Sequence, residues 1–241
     1  MPTSGGYSLA MNRDERRTRA PGLPPRQTLR SGVTVLSPVD GDAQGTWISV
    51  NHFGHTLALL NRYEDSPHDP AGSYVSRGRL VSDLAPLPGP QATDATLGSL
   101  DLSAYRPFTL ASIAPDLPTH LFDWNGAELI RSSVSTPGLI RASSGSDQAA
   151  AEQARQEVFR EAECRFGGLT GEIIRDLHRS HLPARGAKSI CMHRDETVTV
   201  SCSLVTVSKS EMSFLYISGS PCESSEFHLA NMARSTTQST T

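Results

Sequence analysis

The chain has 241 residues, 37% of them hydrophobic and 20% charged, with a formal net charge of −3, which suits one soluble domain with a sizeable buried core. That balance argues against nucleic acid as the main partner, because phosphate binding asks for a basic stripe, and the one dense cluster of arginines (Arg13, Arg16, Arg17, Arg19) is interleaved with Asp14 and Glu15. No run approaches the ~20 apolar residues of a membrane span and the N-terminus lacks the order of a signal peptide, so a cytoplasmic location is expected.

In chain order, Tyr7-Ser8-Leu9-Ala10-Met11 reads as a strand that runs into Asn12-Arg13-Asp14-Glu15. An amide, a guanidinium and two carboxylates at a strand end place dense hydrogen-bonding chemistry at a sheet rim, where sites are often built; the plainer alternative is a solvated strand end. Residues 46–51 and 56–61 are β-rich runs flanking His52-Phe53-Gly54-His55, a hairpin with Gly54 in the turn that is expected to lie in one antiparallel layer with residues 7–11. Residues 66–73 read as a polar loop, 74–84 as a short helix, and 85–99 as a Pro, Gly, Ala and Thr-rich connection. Residues 108–114 and 119–124 read as strands, and Asn125-Gly126 turns the second of them into 128–133.

A helix is expected over 146–165, capped by Ser146 or Asp147, with Ala151, Ala154, Val158, Phe159 and Ala162 at helical spacing. A shorter one follows over 170–181 with the stripe Ile173, Ile174, Leu177. Strands are expected over 189–193, 197–208 and 211–218, and a polar, disordered tail over 224–241, beyond a single domain of 1–223. Cys164, Cys191, Cys202 and Cys222 include no C-x-x-C pair, so neither a zinc site nor a disulfide framework is signalled, and no metal site is expected. Cys191 and His193 stand two apart on the expected 189–193 strand, so that thiol and imidazole share a face; a buried Cys beside a strand-end His is the ordinary alternative. Strand blocks around a helical pair give an α+β layered class.

These residues carry a resemblance. Asn12-Arg13-Asp14-Glu15, then Gly45-Thr46-Trp47-Ile48-Ser49-Val50-Asn51, Gly54 and Leu59-Leu60-Asn61-Arg62, resemble the NRDE family, also called the transport and Golgi organisation family. Ser143-Ser144 before a helix bearing Arg155 and Phe159 is similar to a later motif of the family, and 189–199 to the closing strands of its bacterial members, so the likeness runs over about residues 6–222. It implies an Ntn-hydrolase-like fold, that is, the αββα four-layer sandwich of the N-terminal nucleophile hydrolases. Eukaryotic members are associated with secretory-pathway organisation, with haem movement and with lipid metabolism.

Many members begin Met-Cys-Thr, where the exposed Cys would resemble the nucleophile of related amide hydrolases, its own amine acting as base. This chain begins Met1-Pro2-Thr3-Ser4-Gly5-Gly6. Either the true start lies upstream, or the protein is non-catalytic, and in both cases a missing first strand would leave an open edge beside residues 7–11. Two functions follow from the resemblance. One is a cytosolic binding or trafficking module for a small hydrophobic ligand or cofactor, haem being the family-based guess, with Asn12, Arg13, Asp14, Glu15, Trp47, Asn51 and His193 as the expected ligand-binding set and His52, His55, His178 and His181 as possible axial ligands. The other is an Ntn-type amide hydrolase or acyltransferase in which Arg13 and Asp14 orient the nucleophile and Asn51 or Asn61 donates to an oxyanion.

Overall fold

Two antiparallel sheets stack face to face and carry helices on their outer surfaces, an αββα sandwich seen in a computed structural model that describes residues 2–3, 5–63, 73–135, 138–145 and 147–235. The first sheet has the order β1-β2-β10-β11-β12, from β1 (Pro2–Thr3), β2 (Gly6–Arg16), β10 (Thr197–Val207), β11 (Glu211–Ser218) and β12 (Phe227–Ala233). The second is a meander in chain order: β3 (Leu23–Arg30), β4 (Val33–Val39), β5 (Ile48–Asn51), β6 (Thr56–Asn61), β7 (Phe108–Ile113), β8 (Thr119–Trp124) and β9 (Leu129–Val134).

Period-two alternation assigns every strand residue a layer. On β5, Ile48 and Val50 face the other sheet, and on β6 Ala58 does; there they meet Tyr7, Val205, Val207, Phe214 and Tyr216 in the core between the sheets. Leu57 and Leu59 point outward with Phe108, Leu110, Phe122 and Trp124, under Leu80, Val81 and Leu84 of α1 (Arg77–Leu84) and Leu97 of α2 (Pro90–Ser99). On the far side, α3 (Gln148–Phe166) and α4 (Gly171–His178) share the cluster Val158, Phe159, Ala162 and Leu177, and α4 lies on β2 and β10. Asp147 caps α3 by accepting from Ala150 N, and Gly167 closes it in the left-handed conformation at φ 68°. Ser146 and most of the expected 66–73 loop lie outside the described residues.

Several expectations are corrected. Residues 7–11 do not share a layer with the 46–61 hairpin: β2 pairs with β10, Leu9 opposite Val205, in the other sheet. The 85–99 connection holds α2. Residues 189–193 are not a strand; only an isolated bridge, His193 to Val198, forms there. Within the expected tail, Phe227–Ala233 is the edge strand β12, paired with β11. The first strand is present as two residues, Pro2 opposite Tyr7 and Thr3 opposite Gly6, and beyond them no strand among the described residues covers that edge of β2. No helix among the described residues is long and apolar enough to cross a membrane.

Two positions make the packing testable. Gly45 abuts Gly78 backbone to backbone, and an added Cβ would come within 2.5 Å of the Gly78 carbonyl carbon. Gly45→Ala should therefore cost about 1–3 kcal/mol by overpacking, whereas Gly98→Ala, inside α2 with only Arg131 Nη2 nearby at 3.5 Å, should add about 0.5–1 kcal/mol; urea denaturation of both variants decides, and equal effects would refute the close-approach assignment. His55 is the second. Its Nδ1 lies 2.8 Å from the Leu87 carbonyl and its Nε2 2.7 Å from Ser112 Oγ; a carbonyl only accepts, so Nδ1 carries the proton and Ser112 donates to Nε2. Burial lowers this imidazole from 6.5 to about 4. The unfolded chain then binds more protons than the folded one between those values, so the stability is complete above pH 6.5 and is lost as pH falls toward 4, at up to about 1.4 kcal/mol per pH unit. In His55→Gln the pH slope of the unfolding free energy should shrink by that share; an unchanged slope would count against the buried neutral ring.

Candidate functional site

Alternation on β2 splits the Asn12–Glu15 motif between two layers. Tyr7, Leu9 and Met11 face the opposite sheet, and Arg13 follows them. Asn12 and Asp14 face α3 and α4. A register shift of β10 between Thr199 and Ser201 falls opposite Asp14 and Arg13, the kind of bulge that re-aims side chains beside sites.

Arg13 is buried. Its Nη2 donates to Asp40 Oδ2 at 2.6 Å, stands 3.5 Å from Glu15 Oε2, and its guanidinium lies 4.7 Å from the centre of the Trp47 ring. Asp40 sits in the loop after β4, where its Oδ1 accepts from Asp42 N, Ala43 N and Arg19 Nη2. Burial alone would raise this carboxyl, yet the Ala43 amide with Arg13 and Arg19 outweighs it and holds Asp40 below the usual range. Glu15 completes the network through Arg19 at 3.5 Å.

On the helical side Asn12 Nδ2 donates to the carbonyls of His178 and Ile190 at 3.0 and 2.9 Å. Asp14 Oδ1 accepts from Thr199 Oγ1 at 2.6 Å, and Oδ2 lies 3.9 Å from Arg155 Nη2. About a quarter of the Asp14 side chain is accessible, and it opens on a cavity. Removal from bulk water raises its pKa against the pull of Arg155 and the Thr199 hydrogen bond. His178 is lowered to about 4 by burial and by Arg155, so its ring is neutral; it packs edge-on against Phe159 at 5.8 Å.

The cavity has a volume of about 1130 Å³ and is lined by every residue of β2 from Gly6 to Arg16. Both faces of β2 contribute to the lining, as fits a cavity running around the edge of β2 that no strand among the described residues covers beyond β1. Met11, Leu59, Leu121, Phe159, Ile174 and Met192 supply apolar wall, and eight arginines stand against four carboxylates in the lining. On lining residues, Asn12 Oδ1, Trp47 Nε1, Arg155 Nε and His178 Nδ1 are sealed from solvent and have no hydrogen-bond partner among the described residues.

Of the expected site residues, Asn12, Arg13, Asp14, Glu15, Trp47 and Asn61 come together on this cavity. Asn61 donates from Nδ2 to Tyr63 Oη at 3.0 Å. Asn51 does not join them: it lies on the helix-facing side of β5, donates to the Ala85 and Leu87 carbonyls and accepts from Phe53 N and His55 N, so it fixes the hairpin turn to the α1–α2 connection. His193 and Cys191 are not among the lining residues either, although Ile190, Met192 and Arg194 of the same segment are. Among the described histidines, His178 alone lines it. His178 was named from the sequence as a possible axial ligand, whereas Arg155, Asp40 and Thr199 were not read as site residues; the later motif singled out the helix of Arg155, while Asp40 and Thr199 carry no local signal and are brought in by sheet stacking and strand pairing.

Two solved structures of conjugated bile acid hydrolase from Clostridium perfringens, an arginine-to-leucine variant and a cysteine-to-alanine mutant, superpose on this chain with TM-scores of 0.54 and 0.57 at 12% identity, each match covering 96% of this chain and 91% of the other. At that identity the likeness establishes the fold, that of an N-terminal nucleophile hydrolase. Among curated proteins no sequence matches. The profile of the Transport and Golgi organisation 2 family matches residues 6–138, from the start of β2 through β9, and with more than half of its length so matched the chain belongs to that family.

Proposed function

We propose that this protein is a non-catalytic binding module for an amphipathic anion, held in the cavity beside the open edge of β2. The observation that carries the reading is the lining of the cavity of about 1130 Å³, where apolar wall from Met11, Leu59, Leu121, Phe159, Ile174 and Met192 stands beside eight arginines and four carboxylates. The excess of arginines over carboxylates selects an anionic head, and the apolar wall an extended hydrophobic body. Haem, with two carboxylates on a flat apolar ring, is the ligand the family suggests, and the lining fits it: Arg155 and Arg194 would face carboxylates, and neutral His178 is the imidazole available to iron.

The alternative, an Ntn-type amide hydrolase or acyltransferase, is favoured by the fold of the bile acid hydrolases and by Arg13 and Asp14 both lining the cavity. Against it, no cysteine is among the described residues of the lining. Cys191 is outside that lining and is pushed up to about 12 by burial, far from a nucleophile's range.

Titration of the purified protein with haem, followed by the Soret band, and with a bile-salt conjugate, followed by calorimetry, separates the two readings. Saturable binding without release of free amine is expected, weakened at least about tenfold in Arg155→Gln, the scale of one lost charge-assisted hydrogen bond. His178→Leu should alter the Soret position if the imidazole reaches iron. Absence of saturable binding by either compound would defeat the binding reading, and amine release from the conjugate would establish the hydrolase.

A further inference from the structure

Outside the cavity, four soft donors from three separate pieces of chain meet at one point. His181 follows the C-terminal end of α4, Cys191 and His193 belong to the segment before β10, and Cys222 lies in the β11–β12 turn. His193 Nε2 stands 3.3 Å from His181 Nε2, 3.3 Å from Cys222 Sγ and 3.7 Å from Cys191 Sγ. All four donor atoms lie within 4.8 Å of one another. Metal–sulfur bonds of about 2.3 Å and metal–nitrogen bonds of about 2.0–2.1 Å, set at tetrahedral angles, separate two nitrogens by about 3.3 Å and a nitrogen from a sulfur by about 3.5 Å. The observed spacings bracket those values.

We propose that His181, Cys191, His193 and Cys222 form a structural zinc site of the Cys2His2 type. Two thiolates and two neutral imidazoles suit Zn²⁺ over harder cations. Binding releases the two thiol protons to solvent and leaves an uncharged centre, so no net charge is buried. The donors are pre-positioned by main chain: Cys191 N donates to Ser180 O at 2.9 Å, Met192 N to Thr199 Oγ1 at 2.8 Å, and Ser220 Oγ to Thr199 O at 2.9 Å, with Glu223 N and Ser224 N closing the Cys222 turn on Ser220 O. Arg185 Nη2 lies 3.4 Å from His193 Nδ1 and from Glu223 Oε1; this exposed side chain can withdraw to its carboxylate partner when Nδ1 bears the proton and Nε2 the metal. Four protein ligands leave no open position, which makes the site structural and not catalytic. Its effect is to tie the end of α4 to the β11–β12 turn and to fix Ile190 and Met192, which wall the cavity.

The test uses the whole chain, stripped of metal by a chelator under reductant and shown to be folded by circular dichroism. One Zn²⁺ per chain should bind and raise Tm, and Co²⁺ in its place should give the intense visible bands and thiolate charge-transfer absorption of a tetrahedral sulfur-ligated site. Cys222→Ser and His181→Asn should each weaken Zn²⁺ binding by at least about 100-fold, since even outer-shell partners of a metal are worth 10–100-fold, while Cys164→Ser, exposed on α3, should leave it unchanged. If Cys222→Ser does not fold, His181→Asn and the Co²⁺ spectrum of the parent chain carry the test. Substoichiometric zinc in folded protein, a Co²⁺ spectrum without thiolate absorption, an equal loss in Cys164→Ser, or a mass lower by two hydrogens that maps to a Cys191–Cys222 disulfide in protein kept under reductant would each overturn the assignment.

Discussion

The buried pair of Arg13 and Asp40 joins the two sheets at the end where the cavity separates them. Arg13 comes from β2 in one sheet, and Asp40 and Trp47 come from the loop between β4 and β5 in the other. Removing one partner should cost less than the roughly 3–5 kcal/mol of a fully buried pair, because Asp40 keeps Arg19 and Arg13 keeps Glu15. Asp40 also accepts the backbone donors of its own turn, so the guanidinium that spans the sheets rests on a carboxylate already fixed in place. Tyr7 does the same six residues earlier, donating from its hydroxyl to the Gly54 carbonyl at 2.9 Å and meeting Thr56 Oγ1 at 2.6 Å. β2 is thereby anchored to the opposite sheet at two levels, and the residues between them, Leu9 and Met11, form apolar wall.

With that anchoring, the order Asn-Arg-Asp-Glu has a mechanical meaning. A strand sends consecutive side chains to opposite faces, so the motif places Arg13 and Glu15 in the inter-sheet ion network and Asn12 and Asp14 among α3, α4 and the 190–193 segment. Swapping Asn12 with Arg13 would keep the composition and send each chemistry to the wrong layer. The hydrogen-bonding edge of β2 lies between the two groups, covered by no strand among the described residues beyond Tyr7, and the cavity lies along it. An open edge is a liability for pairing with another chain; here it is set inside the fold, walled by α3 on one side and by the second sheet on the other.

What could be read from the sequence follows from how local each signal is. The hairpin of β5 and β6, the Asn125-Gly126 turn and the amphipathic helices α3 and α4 depend on spacing within about 20 residues, and they appear nearly where expected. Alternation told that residues 7–11 form a strand, but it does not name the partner strand, and β2 pairs with β10, nearly 200 residues away. β3 escaped because Leu23-Pro24-Pro25 and its mostly exposed, polar successors look like loop, and β12 because its alternation of half-exposed and exposed residues resembles a polar tail. In α2 the Pro90 that suggested a connection sits in the first turn, where a proline is tolerated. Asn51 was misplaced by one step of alternation: its neighbours Ile48 and Val50 face the cavity's sheet interface, and it does not.

The His181, Cys191, His193 and Cys222 cluster was invisible for a related reason, since no two of its cysteines have metal-ligand spacing and the group exists only once the α4 end, the 190–193 segment and the β11–β12 turn are folded together. Its connection to the motif is short. Asn12 donates to the carbonyl of Ile190, the residue before Cys191, and to that of His178, three residues before His181. The two acceptors are the last turn of α4 and the cavity wall, so one amide holds together the two pieces of chain that present three of the four soft donors. An aspartate at position 12 would offer no donor to either carbonyl, and a glutamine would be one methylene too long for both bonds at once. The requirement for asparagine at the head of the motif is thus a requirement of reach: a short side chain with two N–H groups, leaving the strand toward the helices, that can hold both carbonyls within 3 Å while the next residue turns the other way to meet Asp40.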